Sequence, residues 1–312
     1  MEESSSKTLA SNIEKRIKKN EKILVSLTSY PTRIKTVNQT IETLINQTFK
    51  PDKIVLWLAE EEFPNKENDL PEELLNLQRE NKSFEIGWCE DLKPYKKLIP
   101  SLKKYPEYLI ITADDDLLYE PNRIELLYKT HLKYPNDAIC HRAHYITFDK
   151  NVINKYSNWI MNSNFHGLSN NVFPTSGAMI LYPQNCFYKD ILNKELFLKL
   201  SYNTDDIWYW AMCVLNGTKT RLARENISEL YLVEKTQTET LWSDNINNGK
   251  NDNNINLMFE HYPMLYAKLS KKLPIYYMAR NLFSVTNSDD KNYKIITILG
   301  LRFKIRRVCA KR

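Results

Sequence analysis

The sequence has few of the features that mark a disulfide-bonded, zinc-binding or membrane-spanning protein. Its five cysteines are scattered, odd in number and never spaced as C-x-x-C, which excludes a disulfide framework and a cysteine-pair zinc site. No apolar run approaches the roughly 20 residues that a spanning helix needs, and the polar residues 1–20 contain no signal-peptide core. We therefore expect a protein of a reducing, cytosolic compartment.

The glycine motifs of the common nucleotide-binding folds are also missing. Neither G-x-x-x-x-G-K-[ST] nor G-x-G-x-x-G occurs in the chain. Each of these motifs lets the backbone approach a phosphate group closely. P-loop and dinucleotide-binding proteins are therefore excluded as classes.

The net charge of +6 is concentrated at the C-terminus. Residues 302–312 hold six basic groups and no acid, and the rest of the chain carries 38 basic and 38 acidic residues. A basic tail on a neutral body favours peripheral contact with an anionic membrane over a nucleic-acid groove, so we expect no nucleic-acid partner. Apolar and basic residues alternate from Arg302 to Arg306, which predicts a strand-like segment. A solvated tail, or a strand packed on the body, is the alternative.

The N-terminal half predicts an α/β fold, because apolar runs alternate with segments of helical periodicity. Near-continuous apolar strands are typical of a mostly parallel central sheet with helices on both faces. Strands are predicted over 23–27, 54–58, 84–88 and 108–112, and helices over 36–47, from Pro71 and over 96–104. A further helix is predicted from Asp205 to a C-terminal cap at Gly217.

The remaining chain suggests a simple domain organisation. We expect a polar lead-in over residues 1–20, a single α/β domain over 21–270, and a C-terminal extension with the basic tail over 271–312. An Asn-rich mobile loop is predicted over 244–256.

Three carboxylates follow the predicted fourth strand after a single Thr-Ala step: Asp114, Asp115 and Asp116. Adjacent carboxylates repel one another, and a divalent cation removes that cost. Oxygen ligands suit Mg²⁺ or Mn²⁺, and ligands of parallel sheets bind beyond the carboxyl ends of the strands. The triplet therefore predicts a metal site, with solvated or helix-capping acids as the alternative.

A second acidic motif, Thr204-Asp205-Asp206, stands at the start of a predicted helix. One acid is enough to cap a helix, so the second is available as a general base for an acceptor hydroxyl. The helix dipole should lower its pKa, which would keep it ionised but make it a weaker base.

Polar residues that follow the other strands should meet the triplet in one cleft. Hydroxyl, aromatic and charged side chains there are suited to a base, a ribose and a diphosphate. The candidates are Thr28, Ser29, Tyr30, Arg33, Asp91, Lys96 and Lys97.

In order and spacing, these motifs resemble bacterial GT-A glycosyltransferases of surface-polysaccharide gene clusters, such as those for capsule or lipooligosaccharide (family-2-like). The resemblance covers about residues 22–262. It is carried by Leu27-Thr28-Ser29-Tyr30-Pro31-Thr32-Arg33-Ile34, Lys96-Lys97-Leu98-Ile99-Pro100, Ile111-Thr112-Ala113-Asp114-Asp115-Asp116 and Asp205-Asp206-Ile207-Trp208.

The resemblance implies a GT-A-like domain that transfers a hexosyl group, with inversion, from a nucleoside-diphosphate sugar (a UDP-sugar) to a glycan or lipid-linked glycan. It implies a Mn²⁺ or Mg²⁺ site at Asp114 and Asp116, with Asp116 as the most direct ligand and His261 as the third. It implies donor contacts from Thr28, Ser29, Tyr30, Arg33, Asp91, Lys97, Asp114 and Asp115. The base would be Asp206 or Asp205; because this chain has Asp where many relatives have Glu, the choice between the two stays open. Residues 174–178 would face the donor sugar.

Two other functions use similar residues. A non-catalytic carbohydrate-binding protein on a degenerate transferase scaffold would use the aromatic segment 156–173 as a sugar platform. A glycoside hydrolase also needs paired carboxylates but needs no acid triplet with a metal. Phosphatases of the haloacid dehalogenase type require Thr or Val where Leu118 stands, and are excluded.

Overall fold

The computed structural model describes residues 21–234, 249–275 and 277, and the segments 283–287, 293–298 and 301–306. The predicted lead-in and residues 307–312 of the tail lie outside these ranges. The described strands are β1 (Lys22–Thr28), β2 (Lys53–Ala59), β3 (Phe84–Cys89), β4 (Tyr108–Thr112), β5 (Leu117–Leu118), β6 (Ala138–Cys140), β7 (Ala143–Tyr145), β8 (Phe148–Asp149), β9 (Val152–Ile153), β10 (Val172–Pro174), β11 (Ile180–Tyr182), β12 (Thr220–Leu222), β13 (Tyr231–Leu232), β14 (Phe283–Asn287), β15 (Tyr293–Ile298) and β16 (Leu301–Arg306).

The described α-helices connect these strands or follow them. They are α1 (Val37–Ile45), α2 (Glu72–Glu80), α3 (Ile99–Lys104), α4 (Arg123–His131), α5 (Lys194–Leu200), α6 (Asp205–Asn216), α7 (Lys250–His261) and α8 (Pro263–Ala267). Short 3₁₀ turns lie between them, including Lys93–Lys97 and Ser176–Ala178. None of these helices is long and apolar enough to cross a membrane.

A seven-stranded sheet in the order β12-β6-β11-β4-β1-β2-β3 forms the centre of the fold. All neighbouring strands in it are parallel except β11, which runs antiparallel to both β4 and β6. The carboxyl ends of β1 and β4 therefore meet at one edge. The predicted mixed α/β architecture with a mostly parallel sheet is confirmed.

Successive side chains of a strand point to opposite faces of the sheet, so a strand that is apolar throughout needs cover on both faces. Helices supply that cover on each side of this sheet. Ile23, Val25 and Leu27 of β1 join one buried apolar cluster with residues of α1, α2 and α4. Ser26, which points the other way, forms a 2.7 Å hydrogen bond with Ser101 of α3. On that same face Tyr182 of β11 packs on Tyr209 of α6, with ring centroids 6.2 Å apart.

Most predicted elements of the N-terminal half are present, with boundaries shifted by a few residues. Helix α6 ends as predicted: Gly217 takes the left-handed conformation, with φ of 90°. Thr204 precedes α6, but its hydroxyl does not cap the helix. It donates instead to Asn251 Oδ1 at 3.1 Å.

The loop predicted over residues 244–256 is wrong from Lys250 onward, since α7 begins there. Ile255 and Met258 are buried at helical spacing. The polar Asn251 and Asn254 are also buried and both bond the Thr204 hydroxyl, at 3.1 and 3.5 Å. Asparagine composition favoured a loop, and the partner that makes these residues acceptable in a helix lies far away in sequence.

The chain falls into two compact units. The first comprises the residues up to Ile146 together with Asn154–Leu269, and holds the seven-stranded sheet. The second comprises Thr147–Ile153 and the residues from Ser270 onward. It contains the β8–β9 hairpin and the antiparallel meander β14-β15-β16. The strand-like segment predicted for residues 302–306 is confirmed as part of β16. The domain boundaries stay a prediction.

Candidate active site

The acid triplet lies where β4 ends beside β1. The register pairs Ser26 with Thr112, so Ser29 and Asp115, each three residues further on, stand at the same level. Ser29 Oγ donates to Asp115 Oδ2 at 2.6 Å. Arg33 Nη1 lies 3.0 Å from Asp115 Oδ1 and 2.9 Å from Asp116 Oδ2. The predicted meeting of residues after the first and fourth strands is confirmed.

Asp114, the first acid of the triplet, contacts Lys97. Lys97 Nζ lies 2.5 Å from Asp114 Oδ1, 3.0 Å from Ser176 Oγ and 3.4 Å from Asp205 Oδ2. A single buried ammonium group therefore links the triplet to the second acidic motif and to residues 174–178. These two motifs are 90 residues apart in sequence, and the fold brings them to one place.

Gly177 lies where this loop comes close to the triplet. A Cβ atom at Gly177 would stand 3.2 Å from Asp114 Oδ2. The hydroxyl of Tyr119 accepts the Asp114 backbone N–H at 2.8 Å and donates to the Gly177 carbonyl at 3.2 Å. The loop and the first acid are thereby held at a fixed separation, and the glycine leaves room beside the outer carboxylate oxygen.

Asp205 and Asp206 begin α6 and point to different partners. Asp205 is buried, 7 % exposed, and its Oδ2 faces Lys97. Asp206 is only partly buried, and its Oδ1 accepts the Ser176 backbone N–H at 3.1 Å. Of the two carboxylates, Asp206 is the one that an incoming molecule reaches.

Burial dominates the electrostatics of this acidic group. Burial, reinforced by the charge of Asp205, raises the pKa of Asp206 to about 7, with Lys97 opposing. Burial and Asp114 likewise raise the pKa of Asp205 against the effect of Lys97. Burial opposes the charge on Lys97, but Asp114, Asp205 and Asp206 together raise its pKa well above the ordinary value. The expectation that the helix dipole lowers the pKa of Asp206 is wrong, since desolvation and a like charge exceed it.

The triplet fits a metal ion that shares its coordination with a ligand. Asp114 and Asp116 have side chains 29 % and 13 % exposed, whereas that of Asp115 is 7 % exposed and turned inward. Mg²⁺ is commonly held by one or two carboxylates together with substrate phosphates. The space left at Gly177 lies beside Asp114 Oδ2. Asp114 and Asp116 therefore suit such an ion, and Asp115 serves the fold through Ser29 and Arg33.

The described residues do not by themselves form a complete metal site. In the described part of the chain no three His, Cys, Asp or Glu side chains come together as a possible ligand set. His261 is exposed at the end of α7, with its ring against Tyr262 at 4.5 Å between centroids. The expected grouping of His261 with Asp114 and Asp116 is therefore wrong for this structure. A single histidine in the sequence does not show whether the fold brings its side chain to the acid triplet.

The other candidate residues take more local roles. Thr28 Oγ1 donates to the Trp57 carbonyl at 2.7 Å, and the Arg33 guanidinium lies 5.5 Å from the centre of the Tyr30 ring. Asp91 follows the edge strand β3, three positions from β4 in the sheet. Its ion-pair partners are Lys93 and Lys96, and it makes no contact with the triplet. The prediction that Asp91 joins the same cleft is therefore wrong at the level of direct contacts.

The aromatic segment proposed as a sugar platform belongs largely to the core. Tyr156, Trp159 and Phe173 are 7 %, 4 % and 1 % exposed. They pack on one another, and Phe173 also packs on Trp210 of α6. Buried rings cannot stack on a sugar, so these three residues do not form the platform, whereas Phe165 of the same segment is half-buried and packs on Tyr145 with ring centroids 5.3 Å apart.

Sequence reasoning missed Tyr119 and Arg142. Tyr119 lies five residues after Asp114, where an aromatic residue is ordinarily assigned to the core. Arg142 follows β6, a strand of only three residues that was not predicted. The short apolar run Ala138-Ile139-Cys140 after a predicted helix was the available signal, because a strand is expected there in an alternating α/β chain.

Comparison with known proteins gives only distant likenesses. No family model matches the chain, and no curated protein matches it. Solved structures of TarS from S. aureus do match. The fragment 1–349 has a TM-score of 0.45 at 13 % identity, over 68 % of this chain and 60 % of that one. The same fragment in complex with UDP-GlcNAc has a TM-score of 0.43 at 12 % identity, over 69 % of this chain and 59 % of that one. The longer TarS structure has a TM-score of 0.44 at 13 % identity, over 68 % of this chain and 36 % of that one. The matched part thus spans less than two thirds of these proteins, and at this distance the activity has to be argued from the site.

Proposed function

We propose that this chain is a glycosyltransferase that moves a sugar from a nucleoside-diphosphate sugar to a hydroxyl group of a growing glycan, with inversion at the anomeric carbon. The observation that carries the proposal is the placement of Asp206. It is a reachable carboxylate with a pKa of about 7, at the edge of the sheet where the acid triplet also lies. A base of that pKa is suited to proton abstraction at neutral pH.

The reaction needs one displacement. The acceptor oxygen attacks the anomeric carbon, its proton passes to the Asp206 carboxylate, and the bond from that carbon to the diphosphate oxygen breaks. The nucleoside diphosphate leaves with the bonding electron pair. Asp205 and Lys97 hold Asp206 and the loop of Ser176 in place, since Lys97 contacts both Ser176 and Asp205. Fixed positioning of the two reactants supplies much of the acceleration in such a reaction.

The leaving diphosphate needs positive charge. Asp114 and Asp116 would hold Mg²⁺ or Mn²⁺, which supplies positive charge to the leaving oxygen when it is bound. Arg33 lies 2.9 Å from Asp116 Oδ2 and is a positive charge of the protein's own at the triplet. In the proposal Thr28, Ser29 and Tyr30 line the donor side, and UDP-sugars are the first donors to test.

The C-terminal strand gives the proposal a location. Phe303 and Ile305 in β16 are 49 % and 51 % exposed, and Ile298 in β15 is 44 % exposed. An exposed apolar surface next to a basic sequence is what a peripheral contact with an anionic membrane requires, since each Lys or Arg near such a surface contributes about 1 kcal/mol. We place the enzyme at the cytoplasmic face of a membrane, where a lipid-linked surface-polysaccharide acceptor would be available.

A thermal-shift screen tests the donor side of this proposal. UDP, GDP and CMP, and their sugars, are added with and without Mn²⁺, because a ligand raises the melting temperature according to its occupancy. We expect a nucleoside diphosphate to stabilise the wild-type protein only with Mn²⁺. The Asp116→Asn variant should lose that shift and turnover, while the distant Asp69→Asn variant keeps both. Equal stabilisation of Asp116→Asn would contradict the assignment.

A further inference from the structure

One cation near Asp206 has no role in the mechanism above. Arg142 follows β6, and its backbone carbonyl accepts the Thr175 N–H at 3.1 Å. The next residue, Ser176, donates its own N–H to Asp206. Since β6 is antiparallel to β11 and β11 to β4, β6 and β4 end at the same edge of the sheet. Arg142 therefore lies at the same edge of the sheet as the acid triplet, next to the segment that contacts the candidate base Asp206.

The guanidinium group of Arg142 has only neutral partners. Its Nε donates to Asn162 Oδ1 at 2.7 Å and its Nη1 to Thr175 Oγ1 at 3.5 Å. No carboxylate of the described residues forms an ion pair with it. A guanidinium has five N–H donors, so three remain for a ligand. Burial lowers the pKa of Arg142, with Tyr156 and Asp206 opposing that effect.

Asn162 holds the guanidinium in a defined position. It takes the left-handed conformation, with φ of 46°, which asparagine tolerates better than most residues. Its backbone N–H donates to His144 Nδ1 at 3.1 Å, while its side chain bonds Arg142. An asparagine that fixes a partly buried cation with no ion-pair partner among the described residues is typical of a built binding site rather than of a solvated surface arginine.

We propose that Arg142, held by Asn162 and Thr175, is an oxyanion subsite that binds a carboxylate or phosphate group of the acceptor. A planar guanidinium binds such groups with two parallel hydrogen bonds, which fixes orientation as well as position. An acceptor held by its anionic group at Arg142 presents a neighbouring hydroxyl to Asp206. The acceptor class is therefore an acidic sugar or a sugar phosphate. This assignment rests on the proposed function, whereas the anion site can be tested without it.

Matched pairs of probes test the site in the absence of nucleotide. Binding of D-glucuronate is compared with that of D-glucose, and binding of glycerol 3-phosphate with that of glycerol, by ligand-observed NMR titration of the full chain. We expect the wild-type protein to prefer the charged member of at least one pair by roughly tenfold or more, as a charge-assisted bidentate contact allows. The pair that shows the preference identifies carboxylate or phosphate as the group bound.

Three variants decide whether Arg142 is responsible. Arg142→Gln should abolish the preference. Asn162→Gly, which keeps the left-handed backbone and removes only the tether, should reduce it. Lys103→Gln removes one positive charge from an exposed position in α3, before the start of β4, and should leave the preference intact. Because Asn162→Gly has little reason to misfold, the test survives if Arg142→Gln is unstable.

Other results would overturn the inference. No preference in the wild-type protein, or a preference that persists in Arg142→Gln, would remove the subsite. UDP affinity with Mn²⁺ is measured on the same samples. If Arg142→Gln weakens UDP binding as much as it weakens probe binding, the bound anion is the donor diphosphate and the acceptor assignment is wrong. Absence of UDP binding in the wild-type protein would instead contradict the proposed function and leave the probe result standing.

Discussion

The Nζ atom of Lys97 lies 3.4 Å from Asp205 Oδ2 while it contacts Asp114 at 2.5 Å on its other side. One ammonium group therefore neutralises acids from two motifs that belong to different elements, the end of β4 and the start of α6. Asp205 is buried, and its Oδ2 has no hydrogen-bond partner closer than this lysine. The two acidic motifs can coexist at one edge of the sheet because Lys97 lies between them.

Replacement of Lys97 should destabilise the fold in a pH-dependent way. We expect Lys97→Met to lower the free energy of unfolding by about 3 kcal/mol at neutral pH, because it leaves buried carboxylates unpaired. The loss should shrink toward about pH 5, where Asp206, whose pKa is about 7, is largely protonated and uncharged, and the raised pKa of Asp205 acts in the same direction. Urea denaturation at both pH values measures this. The exposed Lys103→Met is the control, and an equal loss at both pH values would refute the role given to Lys97.

Transfer should depend on the ionised form of Asp206. Since its pKa is about 7, the rate should fall by about tenfold per pH unit below that value. Asp206→Asn should lose roughly 10²–10⁴-fold in transfer rate and keep nucleotide affinity. Initial rates with a UDP-sugar across the pH range measure both. Normal transfer by Asp206→Asn together with a dead Asp205→Asn would reverse the two roles.

The same substitution should stabilise the protein. The pKa of Asp206 is higher in the folded than in the unfolded chain, so folding is opposed increasingly as pH rises from about 4 to about 7. Asp206→Asn removes this cost, and we expect a gain of roughly 1–3 kcal/mol at about pH 8 after solvent screening. The gain should disappear near pH 4. A variant that is no more stable than the wild type at pH 8 would show that the carboxylate is well solvated.

Gly177 should be needed for the nucleotide rather than for the fold. In Gly177→Ala a methyl group stands 3.2 Å from Asp114 Oδ2, on the side where we place the metal. We expect Mn²⁺-dependent nucleotide affinity to fall by about tenfold. Gly217→Ala is the matched control, because a Cβ there meets nothing within 4 Å but is forced into φ of 90°. It should cost about 1 kcal/mol of stability and leave affinity unchanged. If Gly177→Ala kept its nucleotide affinity and Gly217→Ala lost it, the assignment of Asp114 as a metal ligand would be wrong.

The basic tail should control attachment to anionic vesicles. Changing Arg307, Lys311 and Arg312 to Gln leaves β16 intact and removes three positive charges. We expect co-sedimentation with anionic vesicles to fall and the wild-type signal to decrease with added salt, because exposed charges are screened. Neutral vesicles are the control. Binding that ignores both the substitutions and the salt would exclude electrostatic docking.

The sequence predicted the N-terminal half of the sheet well because its strands are long and uniformly apolar. β1, β2 and β4 could hardly be anything but buried strands. The strands β6 and β12 have three residues each, too few for a periodicity to show. The helix α7 was missed because its buried asparagines are satisfied by Thr204, a contact that only the fold creates.

The sequence was enough to predict which motifs lie close together in the site, but not which side chains form ion pairs with one another. Strand ends gave the neighbourhood of Ser29, Arg33 and the triplet, because parallel strands end at one edge. The direction of each side chain determines which cation pairs with which carboxylate, so the sequence did not predict the ion pair between Lys97 and Asp205. The pKa of Asp206 was predicted with the wrong sign, because helix position is a local property and desolvation is not.

The reversed direction of β11 also determines when the site can be made. β11 lies between β4 and β6, both of which precede it in the chain. Until the ribosome has passed Tyr182, the edge of β4 that later pairs with β11 is unpaired. An incomplete chain therefore exposes an apolar strand edge, the kind of template on which nascent proteins aggregate. The acidic centre is completed only after this closure, because Asp205 and Asp206 follow Tyr182 in the chain.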